Sequence, residues 1–249
     1  GRVDLMATDM LGSTHYRRQV MMGESSKSGW FLDFAAPRQY TRSAVYLNTG
    51  GRVFEVGYQM GLAATDWTWG PHLEDYDNDG HIDVFIANGM LRDVQHTDLA
   101  HHADRKLGGN SPRWAQFWAE QPMQKEINLA FRNRGDLRFE RVETDWGLDR
   151  SGVSLGVATA DFDNDGNLDL AVSNADVPLS LYRNQSASGN SVCVRLKGTA
   201  ANRFGIGAKV TVKAAGRSQT RYLTLARSWL SASEPVLHFG LTNSDRIEE

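Results

Sequence analysis

Two nine-residue segments of this chain follow one pattern, Asp75-Tyr76-Asp77-Asn78-Asp79-Gly80-His81-Ile82-Asp83 and Asp161-Phe162-Asp163-Asn164-Asp165-Gly166-Asn167-Leu168-Asp169. Carboxylates at positions 1, 3 and 5 converge on one hard cation only if the backbone curls around it, and glycine at position 6 permits the bend. Position 7 then offers its carbonyl, and the aspartate at position 9 closes the shell. The expected ligands of a first Ca²⁺ are Asp75, Asp77, Asp79, Asp83 and the carbonyl of His81. Those of a second are Asp161, Asp163, Asp165, Asp169 and the carbonyl of Asn167.

An EF-hand opens with the same spacing but needs a bidentate Glu at position 12 and a helix on either side. Position 12 is Ile86 in one copy and Val172 in the other. Each loop is followed by a short apolar, β-branched run, Ile82 to Ile86 and Leu168 to Val172, which reads as a strand. The loops therefore join strands. Asp, Asn and Gly also make ordinary acidic turns, but two copies with four aspartates in register favour metal binding.

The loops belong to a longer repeat. Tyr46-Leu-Asn48, Phe54-Glu55 and Gly61-Leu62 precede the first, and Phe131-Arg-Asn133, Phe139-Glu140 and Gly147-Leu148 precede the second. Asn to Phe is six residues in both copies, and Leu to the leading aspartate is thirteen in both. A third start lies at Tyr182-Arg-Asn184, and Gly1-Arg2-Val3-Asp4 matches Gly80-His81-Ile82-Asp83. Residue 1 thus falls inside an earlier loop, and the sequence reads as a fragment.

These motifs resemble FG-GAP (VCBS-type) repeats, the calcium-binding blades of integrin-α-like β-propellers. The stretch from Val194 through Asn202-Arg-Phe-Gly205-Ile-Gly207 to Ser231-Ala-Ser233 and Leu237 to Leu241 resembles the ASPIC/UnbV domain. That pairing is typical of the cartilage-acidic-protein-like family. The resemblance implies an all-β chain: partial propeller blades over residues 1–188, then a small β-rich ASPIC/UnbV domain over 189–249, truncated at its end. It also implies a secreted, periplasmic or cell-surface setting.

In a four-stranded blade the aspartate loop links strands one and two, and the Asn-to-Phe segment is the hairpin of strands three and four. Ser154 to Ala160, Leu168 to Ser173 and Leu179 to Arg183 fit strands one to three of one blade. Two to three blades leave unpaired edges, so the chain alone is not expected to close a ring. From Asp169 to Asn184 is fifteen residues, whereas Asp83 to Asn133 is fifty and Asp4 to Asn48 is forty-four. Two insertions, about 10–43 and 90–127, therefore separate strands two and three.

The second insertion reads as helical, with Thr97-Asp98 capping a segment through Lys106 and Ser111-Pro112 starting another that carries Trp114, Phe117 and Trp118. These aromatics pack the insertion onto the blades in the plainer reading; as exposed anchors they would suit a partner. The first insertion holds Arg17-Arg18, Met21-Met22 and Trp30-Phe31. His96, His101 and His102 cluster in sequence, but adjacent helical residues point about 100° apart and no HExxH pattern accompanies them. Trp67 and Trp69 share one strand face and are expected to pack between blades.

Composition excludes several classes. With 41% hydrophobic and 23% charged residues over 249 positions there is material for a sizeable core. No apolar run approaches a membrane span, and a formal charge of −3 argues against nucleic acid. Single Cys193 permits no internal disulfide and is expected to be a small buried residue of a strand. No nucleophile elbow or phosphate loop is present. The favoured function is a calcium-stabilised binding or adhesion module recognising a protein or glycan through the insertion face. The competing class is a polysaccharide-active lyase or hydrolase with its acid and base on the insertions.

Overall fold

A computed structural model describes residues 2–21, 41–108, 111–186, 189–199 and 201–248. Met22, Trp30 and Phe31 of the first insertion lie outside the described residues. The chain is mostly β. In order, β1 (Leu5–Ala7), α1 (His15–Met21), β2 (Ala44–Asn48), β3 (Val53–Glu55) and a one-turn α2 (Gly57–Met60) come first. They are followed by β4 (Thr68–Glu74), β5 (Asp83–Asn88), α3 (Thr97–Leu107), α4 (Trp114–Ala119), β6 (Glu126–Ile127), β7 (Leu129–Asn133) and β8 (Phe139–Arg141). Next are β9 (Ser151–Gly152), β10 (Ser154–Ala160), β11 (Asp169–Asn174) and β12 (Ser180–Tyr182). The last six strands are β13 (Asn190–Arg195), β14 (Lys209–Ala214), β15 (Arg217–Tyr222), β16 (Ala226–Ser228), β17 (Ser231–Ala232) and β18 (Val236–Thr242).

Three antiparallel meanders repeat along the chain: β1-β2-β3, the complete four-stranded β4-β5-β7-β8, and β10-β11-β12. Among the described residues they do not close into a ring. The middle sheet shows why the pattern stacks. Every residue of β5 is buried, and alternate side chains of a strand point to opposite faces. Val84 and Ile86 join Val45, Val56 and Leu62 of the first unit, while Phe85 and Ala87 join Val157, Leu170 and Val172 of the third.

A turn after each fourth strand completes these contacts. Val56 N–H donates to the Val45 carbonyl (2.8 Å) and Val142 N–H to that of Ala130 (2.9 Å). A single helical turn then follows in each copy, with Met60 and Trp146 donating to Val56 and Val142, and Leu62 and Leu148 donating to Gly57 and Glu143. The turns deliver Leu62 and Leu148 into the next sheet's core. Hairpin registers differ by one residue: Asn48 pairs with Val53 but Asn133 pairs with Phe139. Phe139 accordingly packs on the core, whereas Phe54 is 47% exposed.

Both insertions leave the sheets at the end away from the aspartate loops and meet each other. Arg17 pairs with Asp93 (3.1 Å) and Glu126 (2.9 Å). The Thr97 hydroxyl donates to the Val20 carbonyl (2.6 Å), so it joins the two insertions instead of capping α3. α3 spans the expected segment, and α4 begins at Trp114 after Trp114 N–H bonds the Ser111 carbonyl.

The C-terminal strands pack around Val212, Leu223, Leu237 and Phe239. The β14–β15 hairpin turns on Ala215 and Gly216, both at positive φ as a tight two-residue turn requires. Val192 and Val194 face this core, so Cys193 between them points outward and is exposed, not buried as its residue type led us to expect. The β16–β17 hairpin lies on the first strands of the second and third sheets. Ser231 Oγ accepts from Val157 N–H (2.9 Å), and Trp229 stacks on Trp69 with centroids 4.4 Å apart. Trp69 is thus covered by the C-terminal hairpin. A Cβ at Gly156 would lie 2.6 Å from the Leu230 carbonyl oxygen, which explains the glycine there.

Leu62, 1% exposed, links the first and second sheets. Leu62→Ala is expected to cost about 2–5 kcal/mol, read as a lower midpoint in denaturant titration; a change under about 1 kcal/mol would contradict this packing.

Candidate metal centres

Each aspartate loop is built the same way, by side chains that bond the loop's own backbone. In the first, Asp75 accepts from Asp79 N–H (3.1 Å) and Gly80 N–H (2.9 Å), Asp79 from His81 N–H (2.8 Å), and Asp83 from Tyr76 N–H (3.0 Å). In the second, Asp161 accepts from Asp165 N–H (3.0 Å) and Gly166 N–H (3.0 Å), Asp165 from Asn167 N–H (2.9 Å), and Asp169 from Phe162 N–H (3.0 Å). Gly80 and Gly166 have positive φ, as the bend requires. So do Asn78 and Asn164 at position 4, a second left-handed residue that asparagine tolerates.

The aspartate at position 9 also reaches the third strand. Asp83 accepts from Asn133 N–H (2.8 Å) and Asp169 from Asn184 N–H (2.7 Å). Asp4 accepts from Asn48 N–H (2.8 Å), so Val3-Asp4 repeats this joint. Each Asn side chain donates to the carbonyl before its aspartate, Val3, Ile82 or Leu168.

Carboxylate oxygens of Asp75, Asp77 and Asp83 lie within 4.8 Å of one another, as do those of Asp161, Asp163 and Asp169. Among the described residues these are the two groups able to hold a metal. An all-oxygen anionic donor set suits a hard divalent cation such as Ca²⁺. Asp79 and Asp165 sit at the rim of each group, turned to the backbone bonds above and to an arginine. Arg132 Nε lies 2.5 Å from Asp77 and its terminal nitrogen 3.6 Å from Asp79. Arg183 repeats this with Asp163 (2.5 Å) and Asp165 (3.7 Å). Their recurrence in Phe131-Arg-Asn133 and Tyr182-Arg-Asn184 was visible in the sequence, but the loop pattern alone gave no reason to place them at the metal groups.

The two groups differ in burial because the C-terminal strands cover the first. Asp75 and Asp83 are fully buried, while Asp163 and Asp165 are exposed. Gly240 N–H donates to Asp75 Oδ2 (3.2 Å), Thr242 N–H to the Asn78 carbonyl (2.9 Å), and Arg217 to the Asp79 carbonyl (3.1 Å). Arg221 and Arg227 bind buried Glu74 at 3.2 and 3.1 Å. On the second loop, Ser191 Oγ donates to the Gly166 carbonyl and His238 Nε2 lies 3.0 Å from it. Asn78 Nδ2 donates to Asn167 Oδ1 (2.8 Å), joining the loops directly.

Burial raises the first group's proton affinity, pushing Asp83 up to about 8 and Asp75 up to about 6, and raising Asp77, where the neighbouring Asp79 charge adds to it. His72, buried between Tyr76 Oη (3.1 Å) and Ser233 Oγ (3.3 Å), is lowered to about 4 and stays neutral. The histidines of the second insertion build no such group: His96 contacts Tyr16 (3.3 Å), and His102 lies beside the Phe117 ring at 6.3 Å.

Residues 117–172 match the FG-GAP-like repeat family, and residues 198–249 match the family described as ASPIC and UnbV. The chain carries both. Among curated proteins it is similar to cartilage acidic protein 1 of Homo sapiens and of Mus musculus, 26% identical over 203 residues in each case, covering 69% of this chain and 31% of the relative. The Xenopus tropicalis protein is 27% identical over 206 residues, with the same coverage. The chain thus spans about a third of the length of the curated relatives it matches. Among the described residues no helix is long and apolar enough to cross a membrane.

Two outcomes follow from this geometry. Without metal, raised carboxylate pKa values favour the folded state most below the unfolded value near 4, and that contribution is lost as pH rises through about 6 and about 8. A cation needs the ionised form, so the gain in melting temperature on adding Ca²⁺ should be larger at pH 8 than at pH 6; an equal or smaller gain at pH 8 would overturn the assignment. Second, a Cβ on Gly240 would lie 2.2 Å from Asp75 Oδ2 and 2.5 Å from Asn78 Cα. Gly240→Ala should lower both the melting temperature and Ca²⁺ affinity in calorimetric titration, whereas unchanged values would show that the C-terminal strands do not press on the loop.

Proposed function

We infer that this chain is a calcium-stabilised extracellular binding module, secreted, periplasmic or at the cell surface, that recognises a protein or glycan through its two insertions. The observation that carries the reading is the repeated carboxylate group: two loops with the same internal hydrogen bonds gather three aspartates each at the joints between strands. Asp75, Asp77 and Asp83 would hold one Ca²⁺ and Asp161, Asp163 and Asp169 another, with Asp79, Asp165 and the carbonyls of His81 and Asn167 completing the shells. The ion's role is to neutralise crowded carboxylates and fix the strand joint. Extracellular modules work with calcium affinities of about 10⁻⁴–10⁻³ M, and the relatives' name places them in cartilage, which accords with that setting.

The recognition surface is argued from the insertions, which meet at the end of the sheets opposite the aspartate loops. Trp114 and Trp118 are half-buried and 6.3 Å apart, with Phe117 edge-on to Trp118 at 5.2 Å. Such an aromatic cluster offers contact area to a protein or stacking faces to a sugar. On this reading chelation lowers the melting temperature by several degrees, since about 1 kcal/mol corresponds to about 2–4 °C for a chain of this size. The Trp114→Ala, Trp118→Ala double variant retains that calcium response but loses partner capture. An unchanged melt with chelator would remove the metal role, and full capture by the folded double variant would remove the aromatic anchors.

A further inference from the structure

The two aspartate loops are bonded to each other as well as to their own strands. Asn78 and Asn164 hold the same place in the two copies, both at positive φ. Asn164 is exposed, whereas Asn78 is 1% exposed and donates from Nδ2 to the side chain of Asn167, the residue at position 7 of the second loop (2.8 Å). The Asn78 carbonyl accepts from Thr242 N–H (2.9 Å), and a Cβ at Gly189 would lie 2.7 Å from that oxygen. Close packing on its backbone thus holds Asn78 while its amide spans the two loops.

A second bridge runs through Asn184. In the second sheet Asn133 serves one loop, its N–H on Asp83 and its amide on the Ile82 carbonyl. Asn184 repeats both bonds on Asp169 and Leu168, and its Nδ2 also donates to the Tyr76 carbonyl of the first loop (2.7 Å). Tyr76 N–H in turn donates to Asp83 (3.0 Å). Hydrogen bonds therefore run from Asp83 through Tyr76 and Asn184 to Asp169, linking the closing aspartates of the two loops. β18 touches both loops too, with Gly240 on Asp75 and His238 on the Gly166 carbonyl.

We propose that the two calcium loops fill as a coupled pair, metal in either one raising the affinity of the other, and that Asn78 is a positioning residue that carries the effect between them. This coupling presupposes the calcium sites put forward above. An ion stiffens the loop that binds it, and order passed to the neighbouring loop is order that the second ion need not impose. The second loop has most to gain, since Asp163 and Asp165 stand in solvent while Asp75 and Asp83 are buried. Linkage makes the effect equal in both directions. Charge opposes it, because an ion in one loop offsets aspartates that attract the other. Salt screens that opposition but leaves the hydrogen-bonded bridges in place, so the coupling is read at about 0.15 M salt.

The test is calorimetric titration of the 249-residue chain with Ca²⁺, for the parent, Asn78→Gly, Asp163→Asn and the double variant. Glycine keeps the positive φ at position 78 and removes the bridging amide, and Asp163→Asn silences the exposed second loop. Asn78→Gly is expected to lower the overall affinity for two ions in the parent at least about fivefold more than it lowers first-loop affinity in Asp163→Asn, a factor at the low end of common couplings. That excess is the part carried across the bridge, as in any double-mutant cycle. Should Asn78→Gly melt too early to titrate, Asn167→Ala breaks the same bond from the other side and keeps its carbonyl; Asp77→Asn then silences the first loop in the mirrored cycle. An equal or smaller loss in the parent would overturn the coupling and leave the calcium sites standing. No uptake of Ca²⁺ by the folded parent would overturn both.

Discussion

Asp83 holds three strands at one point. Its two oxygens accept from Tyr76 N–H at the loop's entry and from Asn133 N–H at the end of β7, while its own residue opens β5. Strand direction, loop closure and hairpin position are fixed together by one buried carboxylate. The cost is electrostatic: Asp75 and Asp77 stand within 4.8 Å of it, and burial in low dielectric makes such crowding expensive. The backbone N–H donors of the loop and the Arg132 guanidinium at its rim offset that charge.

The neighbouring elements are arranged by the same demand. Arg221 and Arg227 come from the C-terminal strands to neutralise Glu74, one residue before the loop, and Gly240 contributes an N–H to Asp75. The C-terminal unit is therefore electrically part of the first aspartate loop. On the second loop the contacts are neutral, through Ser191 and His238, and the outer aspartates remain in solvent. Two nearly identical sequences thus sit in unlike dielectric surroundings.

The sequence made the loops, the meander and the helical insertion legible because each rests on short-range spacing: alternating aspartates, the offset from Asn to Phe, and aromatics at helical intervals. Strand positions in the third sheet agree to within a residue or so for the same reason. The rest depends on partners distant in the chain. Nothing near Trp69 announces that Trp229 will stack on it, and nothing near Asp75 announces Gly240. Cys193 was misplaced because residue type was weighed above the strand's alternation, and Thr97 because a helix-capping residue found a carbonyl in the other insertion. The one-residue register difference between the hairpins lay below the resolution of a matching Asn-to-Phe offset.

β5 is buried on both faces, with Val84 and Ile86 serving one core and Phe85 and Ala87 the other. A strand shared in this way makes the boundary between repeats different from the boundary between units of unfolding. Removing the first sheet would bare half of β5, and removing the third would bare the other half, so neither neighbour can open without exposing the middle sheet to water. The repeats are copies in sequence but joint owners of their cores, and disorder entering at either outer sheet has a direct path through a single strand to the far side.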